Sequence, residues 1–251
     1  MALCYRGNKE NEAYHIVRFI ENIMTDRKQV VDLFCGGCSI ACALPKRFNV
    51  IANDSNPYLM SMLYAMKNDL ITNMPVPVDE AFYNERRKEM LSDYPTIKHD
   101  SDLLKTAKDD RETLVKRAYI GWAAYARSSG DFMSSFCGRR KGSAEDKTFY
   151  RSRMIKETVN TIKENNIELA CVDYASFQTN TPTVFYCDPP FARRSSYPST
   201  SFDTEAFFKW CFAMRDKGHT ILLSEQTAPE GFKLIRGGIL NGVGSSLFLL
   251  V

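Results

Sequence analysis

Residues Thr183 to Tyr186 form a short β-branched and aromatic run that ends in Cys187, Asp188, Pro189 and Pro190. Such a run reads as a strand buried on both faces, the habit of a parallel sheet. Neither proline donates a ladder hydrogen bond and both hold φ at about −65°, so the chain leaves the sheet stiffly there. The pattern recurs. Val30 to Phe34 is a second run and passes through Cys35-Gly-Gly-Cys-Ser39 into a helix over about 40–46. Val50 to Asp54 is a third, ending in an acid, and Ile167 to Val172 a fourth, followed by Asp173 and Tyr174. Thr220 to Ser224 and Phe248 to Val251 add two more. Apolar positions at helical spacing predict helices over 12–24, 57–69, 82–94, 102–127, 154–165 and 204–217, with Gly218 as the last one's stop. Strands alternating with helices predict an α/β fold with a largely parallel sheet covered on both faces.

Acids at the carboxyl ends of parallel strands lie where open α/β sheets bind their ligands. Asp188 offers an acceptor carboxylate, Pro189 and Pro190 offer carbonyls, and Phe191 offers a flat apolar face. That set suits an amino group on a flat heteroaromatic ring. The Gly36-Gly37 turn, followed about 20 positions on by Asp54, matches a nucleoside-binding pattern: the glycines admit close backbone approach and the acid reaches ribose hydroxyls.

The texture changes after Pro75 and Pro77. Residues 1–70 and 150–251 read as one α/β body, and 71–149 as a mainly helical insert. The formal net charge is only +3, yet Lys105 to Lys156 carries thirteen Lys and Arg against six Asp and Glu. A basic segment on a mildly acidic body points to a polyanion partner. Arg127, Ser129, Arg139, Arg140 and Lys141, in or beside a loop rich in serine, glycine and aromatics, are its candidate contacts.

No apolar run is long enough for a membrane helix and the N-terminus lacks a signal-peptide pattern, which predicts a cytoplasmic protein. Cys35, Cys38 and Cys42 come at helix-like spacing with no histidine near. They read as reduced thiols used as small apolar residues, not as a metal site.

Tyr5-Arg-Gly-Asn-Lys9, Asp32-Leu-Phe-Cys-Gly-Gly37 with Asp54, the basic insert, and Asp188-Pro-Pro-Phe191 stand in that order along nearly the whole chain. So arranged, the sequence resembles the Dam-type (class D12, alpha-group) site-specific DNA adenine-N6 methyltransferases of bacteria and phages, some of them partners in restriction-modification. Ser224-Glu-Gln-Thr-Ala-Pro229 is similar to a segment of phage-type members.

The resemblance implies a Rossmann-like fold dependent on S-adenosylmethionine, releasing S-adenosylhomocysteine and needing no metal, with the insert as target-recognition domain. It implies methyl transfer to adenine N6 in double-stranded DNA by base flipping, by a monomer or weak dimer on DNA in a bacterial cell or infected host, away from membranes. It places Tyr5 and Lys9 at the methionine end of the cofactor. Asp32, Phe34, Gly36, Gly37 and Ser39 would line the turn beneath it, with Asp54 on the ribose and Asp173 with Tyr174 beside the adenine. Asp188 touches both cofactor and base, and Pro189, Pro190 and Phe191 complete the pocket for the base. One departure is Cys38, where many relatives carry glycine.

An RNA adenine methyltransferase and a DNA-binding protein of this fold without catalysis remain alternatives. A nicotinamide-dependent oxidoreductase is disfavoured by the missing third glycine.

Overall fold

The computed structural model describes residues 9, 11–24, 29–93, 110–128, 132–133, 135–137, 147–190, 202–240 and 245–251. Tyr5, Ser129, Arg139, Arg140, Lys141 and Phe191, all expected at the cofactor, base or nucleic acid, lie outside them.

Strands β1 (Gln29–Asp32), β2 (Asn49–Asn53), β3 (Glu168–Ala170), β4 (Thr183–Cys187) and β5 (Thr220–Glu225) pair in parallel. The chain then makes β6 (Lys233–Leu240) and β7 (Ser245–Leu250), and β7 inserts antiparallel between β5 and β6. The order across the sheet is β3-β2-β1-β4-β5-β7-β6. Strand order reverses between β1 and β4, so this is the switch point where the loops leaving the two strands diverge and open a crevice. Register makes the crevice level: Asp32 of β1 lies opposite Ala52 of β2 and Tyr186 of β4.

Both faces are covered, as the apolar runs require. Val30, Val50, Val184 and Tyr186 belong to one core. Val31, Phe185, Ile221 and Leu223, one position along, belong to the other. Helices α1 (Ala13–Ile23), α2 (Ser39–Ala43) and α3 (Pro57–Lys67) come from the first half of the chain, and α7 (Thr204–Asp216) with Phe207 and Trp210 seals the second face. Asn56 starts α3 by accepting from Tyr58 N and Leu59 N, and Pro57 adds its fixed φ at the first turn.

The expected insert contributes α4 (Glu80–Asp93) and α5 (Arg111–Arg127), the latter capped by Asp110 and so starting inside the span expected from 102. These helices share the core of the α/β body. Leu114, Ala118, Trp122 and Tyr125 of α5 are buried in the same cluster as Leu59, Met62 and Leu63 of α3. Helix α6 (Lys147–Glu164) begins seven residues before the expected 154 and runs straight across position 150, returning the chain to β3. Its first turns carry few apolar residues, which leaves periodicity little to register there.

Strand β6 has no counterpart in the sequence pattern. Lys233 and Arg236 interrupt its alternation, Gly237-Gly238 weakens it, and a bulge shifts its register between Leu234 and Arg236. These are the habits of an edge strand protected against further pairing.

Close approach of α3 and α5 depends on Gly121. A Cβ there would lie 2.2 Å from the Tyr58 carbonyl oxygen and 3.0 Å from Met62 Cβ. Backbone cannot yield as a side-chain tip does, so Gly121→Ala forces the helices apart. We expect a loss of about 3 kcal/mol, a fall in Tm of roughly 6–12 °C in a thermal melt.

Candidate active site

The crevice is built from what leaves the parallel strands. Lys9, only 4% exposed, places Nζ 2.7 Å from Asp188 Oδ1 and 2.8 Å from Oδ2. Asp188 follows β4 directly, its side chain 16% exposed. Burial pushes this carboxyl up from the ordinary aspartate value, while the Lys9 ammonium holds it down. Ser224, buried on β5, lies beside it and also favours the ionised form, though its hydroxyl has no partner in strict hydrogen-bond geometry among the described residues. The buried Tyr186 hydroxyl is likewise unpartnered there.

Two further carboxyls sit on the β1 side. Asp32 Oδ2 accepts from Ala41 N and so staples α2 to the end of β1. Its pKa is pushed up to about 8, chiefly by burial, with the Asp188 and Asp54 charges adding to the rise. Asp54 clasps the glycine turn: Oδ2 accepts from Gly36 N at 2.9 Å and Oδ1 from Asn56 N at 2.9 Å. Burial raises it too, against those two backbone donors. Each oxygen keeps a lone pair for a ligand hydroxyl.

The turn between β1 and α2 places Gly36 at φ +45° and Cys38 at φ +57°. Cys38 thus holds the left-handed conformation that glycine adopts at least cost, which is why a glycine is at home there. It is fully buried, and its sulfur lies 3.6 Å from Cys35 Sγ. Cys35 and Cys38, a Cys-x-x-Cys pair in the sequence, thus meet as two free thiols. Burial raises the Cys35 thiol, which suits the inert apolar role expected of it. Gly37 is buried; Ser39 and Phe34 are partly exposed.

Aromatic rings form one wall. Phe34 lies 6.0 Å from Tyr174 and 5.6 Å from Phe207, and Tyr174 packs edge-on at 5.3 Å against Phe207 and 5.8 Å against Trp210. Asp173 caps the 3₁₀ turn Tyr174–Ser176 by accepting from Ala175 N, which fixes the tyrosine beside Phe34. Asn53 ties the strand exits together: Nδ2 donates to Leu33 O and Val172 O, and Oδ1 accepts from Val172 N.

The structure thus brings Lys9, Asp32, Asp54 and Asp188 into one charged cluster and Phe34 and Tyr174 into one wall. Asn53, Phe207, Trp210 and Tyr186, none of them marked out by a motif, join them, as does Ser224 from the segment 224–229. Glu225, whose carboxyl is raised by burial and feels both Asp188 and Lys9, also belongs there. Its signal is the Ser224-Glu225 step at the end of a strand, the place where the other acids stand.

Arg127 corrects an expectation. Its charge and position beside the basic loop suggest a polyanion contact, but it is 4% exposed, its Nε donates to Val78 O, its Nη1 reaches Cys137 O, and it lies over the Phe136 ring. These interactions fasten Phe136 and Cys137 to the end of α5 and turn the guanidinium inward. Among the described residues no group of His, Cys, Asp and Glu is arranged to hold a metal, and no helix is long and apolar enough to cross a membrane.

The mixed sheet, with its glycine turn after β1 and Asp-Pro-Pro exit from β4, has the Rossmann-like form of a methyltransferase. Residues 5–225 match the D12 class N6 adenine-specific DNA methyltransferases, and the chain belongs to that family. No curated protein matches it. Two solved structures of the rRNA methyltransferase aviRa from Streptomyces viridochromogenes align with TM-scores of 0.33, at 11% and 12% identity, over 96% of this chain and 82% of theirs.

The charge cluster makes stability depend on pH. Folding raises Asp32 from 3.8 to about 8, so the folded chain keeps a proton that the unfolded chain gives up. Stability therefore declines as pH rises between those values. Asp32→Asn keeps an acceptor for Ala41 N and has no proton to lose. Its Tm should be no higher than the wild type's near pH 4 and about 5 °C or more higher near pH 8.5, at about 2–4 °C per kcal/mol for a chain of this size.

Proposed function

We propose that this is a Dam-type, alpha-group enzyme of bacterial or phage origin that methylates adenine N6 at specific sites in double-stranded DNA, with the target base flipped out of the helix. The observation that carries the reading is Asp188 on the stiff Asp-Pro-Pro exit of β4, desolvated yet held ionised by Lys9, opposite the glycine turn of β1.

The crevice fits S-adenosylmethionine by its own chemistry. The Asp54 and Asp188 carboxylates stand against one ammonium, beside a protonated Asp32, an arrangement that accommodates a cationic guest. Phe34 and Tyr174 offer ring faces to a purine, and the buried Ser224 and Tyr186 hydroxyls beside Asp188 add polar groups to the site. Lys9 would hold the cofactor's carboxylate, Asp54 its ribose and Tyr174 its adenine. When bound, the cofactor supplies a methyl group on positively charged sulfur, which leaves as a neutral thioether.

The protein's part is positioning. The lone pair of an adenine amino nitrogen is delocalised into the ring and attacks poorly. An Asp188 oxygen and the Pro189 carbonyl accept the two amino hydrogens, drawing the nitrogen towards tetrahedral geometry with its lone pair aimed at the methyl. The cofactor would supply the methyl for the new N–C bond, its sulfur keeping the electron pair of the C–S bond, and Asp188 would take the proton shed by N6. A base stacked in a duplex cannot reach this crevice, so flipping is required, at a cost of a few kcal/mol. Residues 71–149 would supply target recognition, with the buried Arg127 not among the contacts.

Incubation with methyl-labelled S-adenosylmethionine and unmethylated duplex DNA, followed by nucleoside digestion, tests the reading. Label in N6-methyladenine is expected; label entering RNA in place of DNA would overturn the substrate. Asp188→Ala should lower transfer by about 10²–10³-fold, the loss typical of removing one positioned hydrogen-bonding group. Replacing Arg139, Arg140 and Lys141 together with alanine should weaken DNA binding and reduce the slope of log K against log salt by up to about 3, roughly one for each phosphate that is no longer neutralised.

A further inference from the structure

Lys9 occupies both carboxylate oxygens of Asp188 at once, at 2.7 and 2.8 Å. A carboxylate so bracketed presents its most favourable acceptor direction to the ammonium. An incoming amino group needs that same direction at one oxygen. Lys9 is also the cation expected at the cofactor's carboxylate, so one ammonium stands between two negatively charged claimants. We propose that Lys9 is a transferable counter-ion: it closes Asp188 in the empty site and passes to the carboxylate of the cofactor when that binds, opening Asp188 to the base. This rests on the S-adenosylmethionine reading above.

The surroundings make the exchange consequential. Asp188 is faced by Asp32 from β1, by Glu225 and Ser224 from β5 and by Tyr186 from its own strand. Lys9 is the cation that holds it ionised among them. A lysine lost outright to solvent would leave Asp188 to take up a proton and cease to accept from an amino group. A lysine that moves only as far as a bound carboxylate stays near enough to keep Asp188 charged. The device thus prevents a base from docking productively before the cofactor is in place, and it needs no movement beyond one flexible side chain. Lys9 acts here as a positioning residue.

The exchange leaves a thermodynamic mark independent of turnover. Any cofactor bearing the carboxylate must first draw Lys9 from Asp188, and part of its affinity is spent in that separation. Removing the competing charge should therefore tighten binding. Calorimetry with S-adenosylhomocysteine, which keeps the carboxylate but lacks the charged sulfur, is the direct probe. Asp188→Asn should bind it at least about five-fold more tightly than wild type, the low end of measured couplings between sites. Asp188→Ala should move the same way, which guards against a peculiarity of the amide. In a Lys9→Gln background the same substitutions should change nothing, and 5′-methylthioadenosine, which lacks the amino-acid moiety, should bind all variants alike.

A second readout is the acidic limb of the methylation rate with saturating cofactor. Loss of Lys9 removes what lowers Asp188, so in Lys9→Gln the limb should move to higher pH, and Lys9→Arg should restore it. Unchanged or weaker S-adenosylhomocysteine binding in both Asp188 variants, beside normal wild-type binding, overturns the inference and leaves the methyltransferase reading intact. A wild-type chain that binds neither S-adenosylhomocysteine nor S-adenosylmethionine overturns that reading, and the inference with it.

Discussion

A carboxylate taken out of water is tolerated only where donors or a counter-charge replace the water, and this structure places several such groups at the ends of neighbouring strands. Each is accommodated differently. Asp54 is held by two backbone N–H groups, Asp32 by one and by retaining its proton, and Asp188 by an ammonium from the far end of the chain. Asp54 and Asp188 stand beside the Phe34 and Tyr174 side of the crevice, so buried charge and flat rings meet at one sheet edge. Stability is given up locally and recovered in the two apolar cores beneath.

Those cores explain why the carboxyl groups converge at all. Parallel pairing of β1 with both β2 and β4 fixes the level at which each strand ends, and burial of Val30, Val31, Val184 and Phe185 on opposite faces locks that register. A slip of one residue would turn each strand's apolar set to the wrong face. The position of the charged groups is thus a by-product of hydrophobic alternation several ångströms away. Asn53 then ties the exits from β1, β2 and β3 with three hydrogen bonds, so the loops diverge from a rigid edge.

Much of this is legible in the residues. The buried strands announce themselves as short apolar runs, and β1, β2, β4 and β5 begin and end within about two residues of the expected positions. Edge strand β6 does not, because charge and glycine on a half-exposed strand leave no periodic trace. The Asp-Pro-Pro exit and the glycine turn are visible as motifs. Their joint chemistry is not, since Lys9 and Asp188 are 179 positions apart and only the closed sheet brings them together. Arg127 shows the opposite failure. Composition reports a charge but not its direction, and a guanidinium flanked by backbone carbonyls has the same letter as one facing solvent.

The close approach at Gly121 carries a consequence for how such a protein can change. Helix α5 is seated on α3 backbone to backbone, and Trp122 reaches from it to bond the Pro75 carbonyl. The segment expected to discriminate between substrates is therefore not a cassette clipped onto a finished scaffold. Transplanting residues 71–149 whole from a distant relative would carry away half of a helix–helix interface and leave α3 exposed. The joint limits exchange to positions outside the α3–α5 contact, where residues can change without unseating the body beneath.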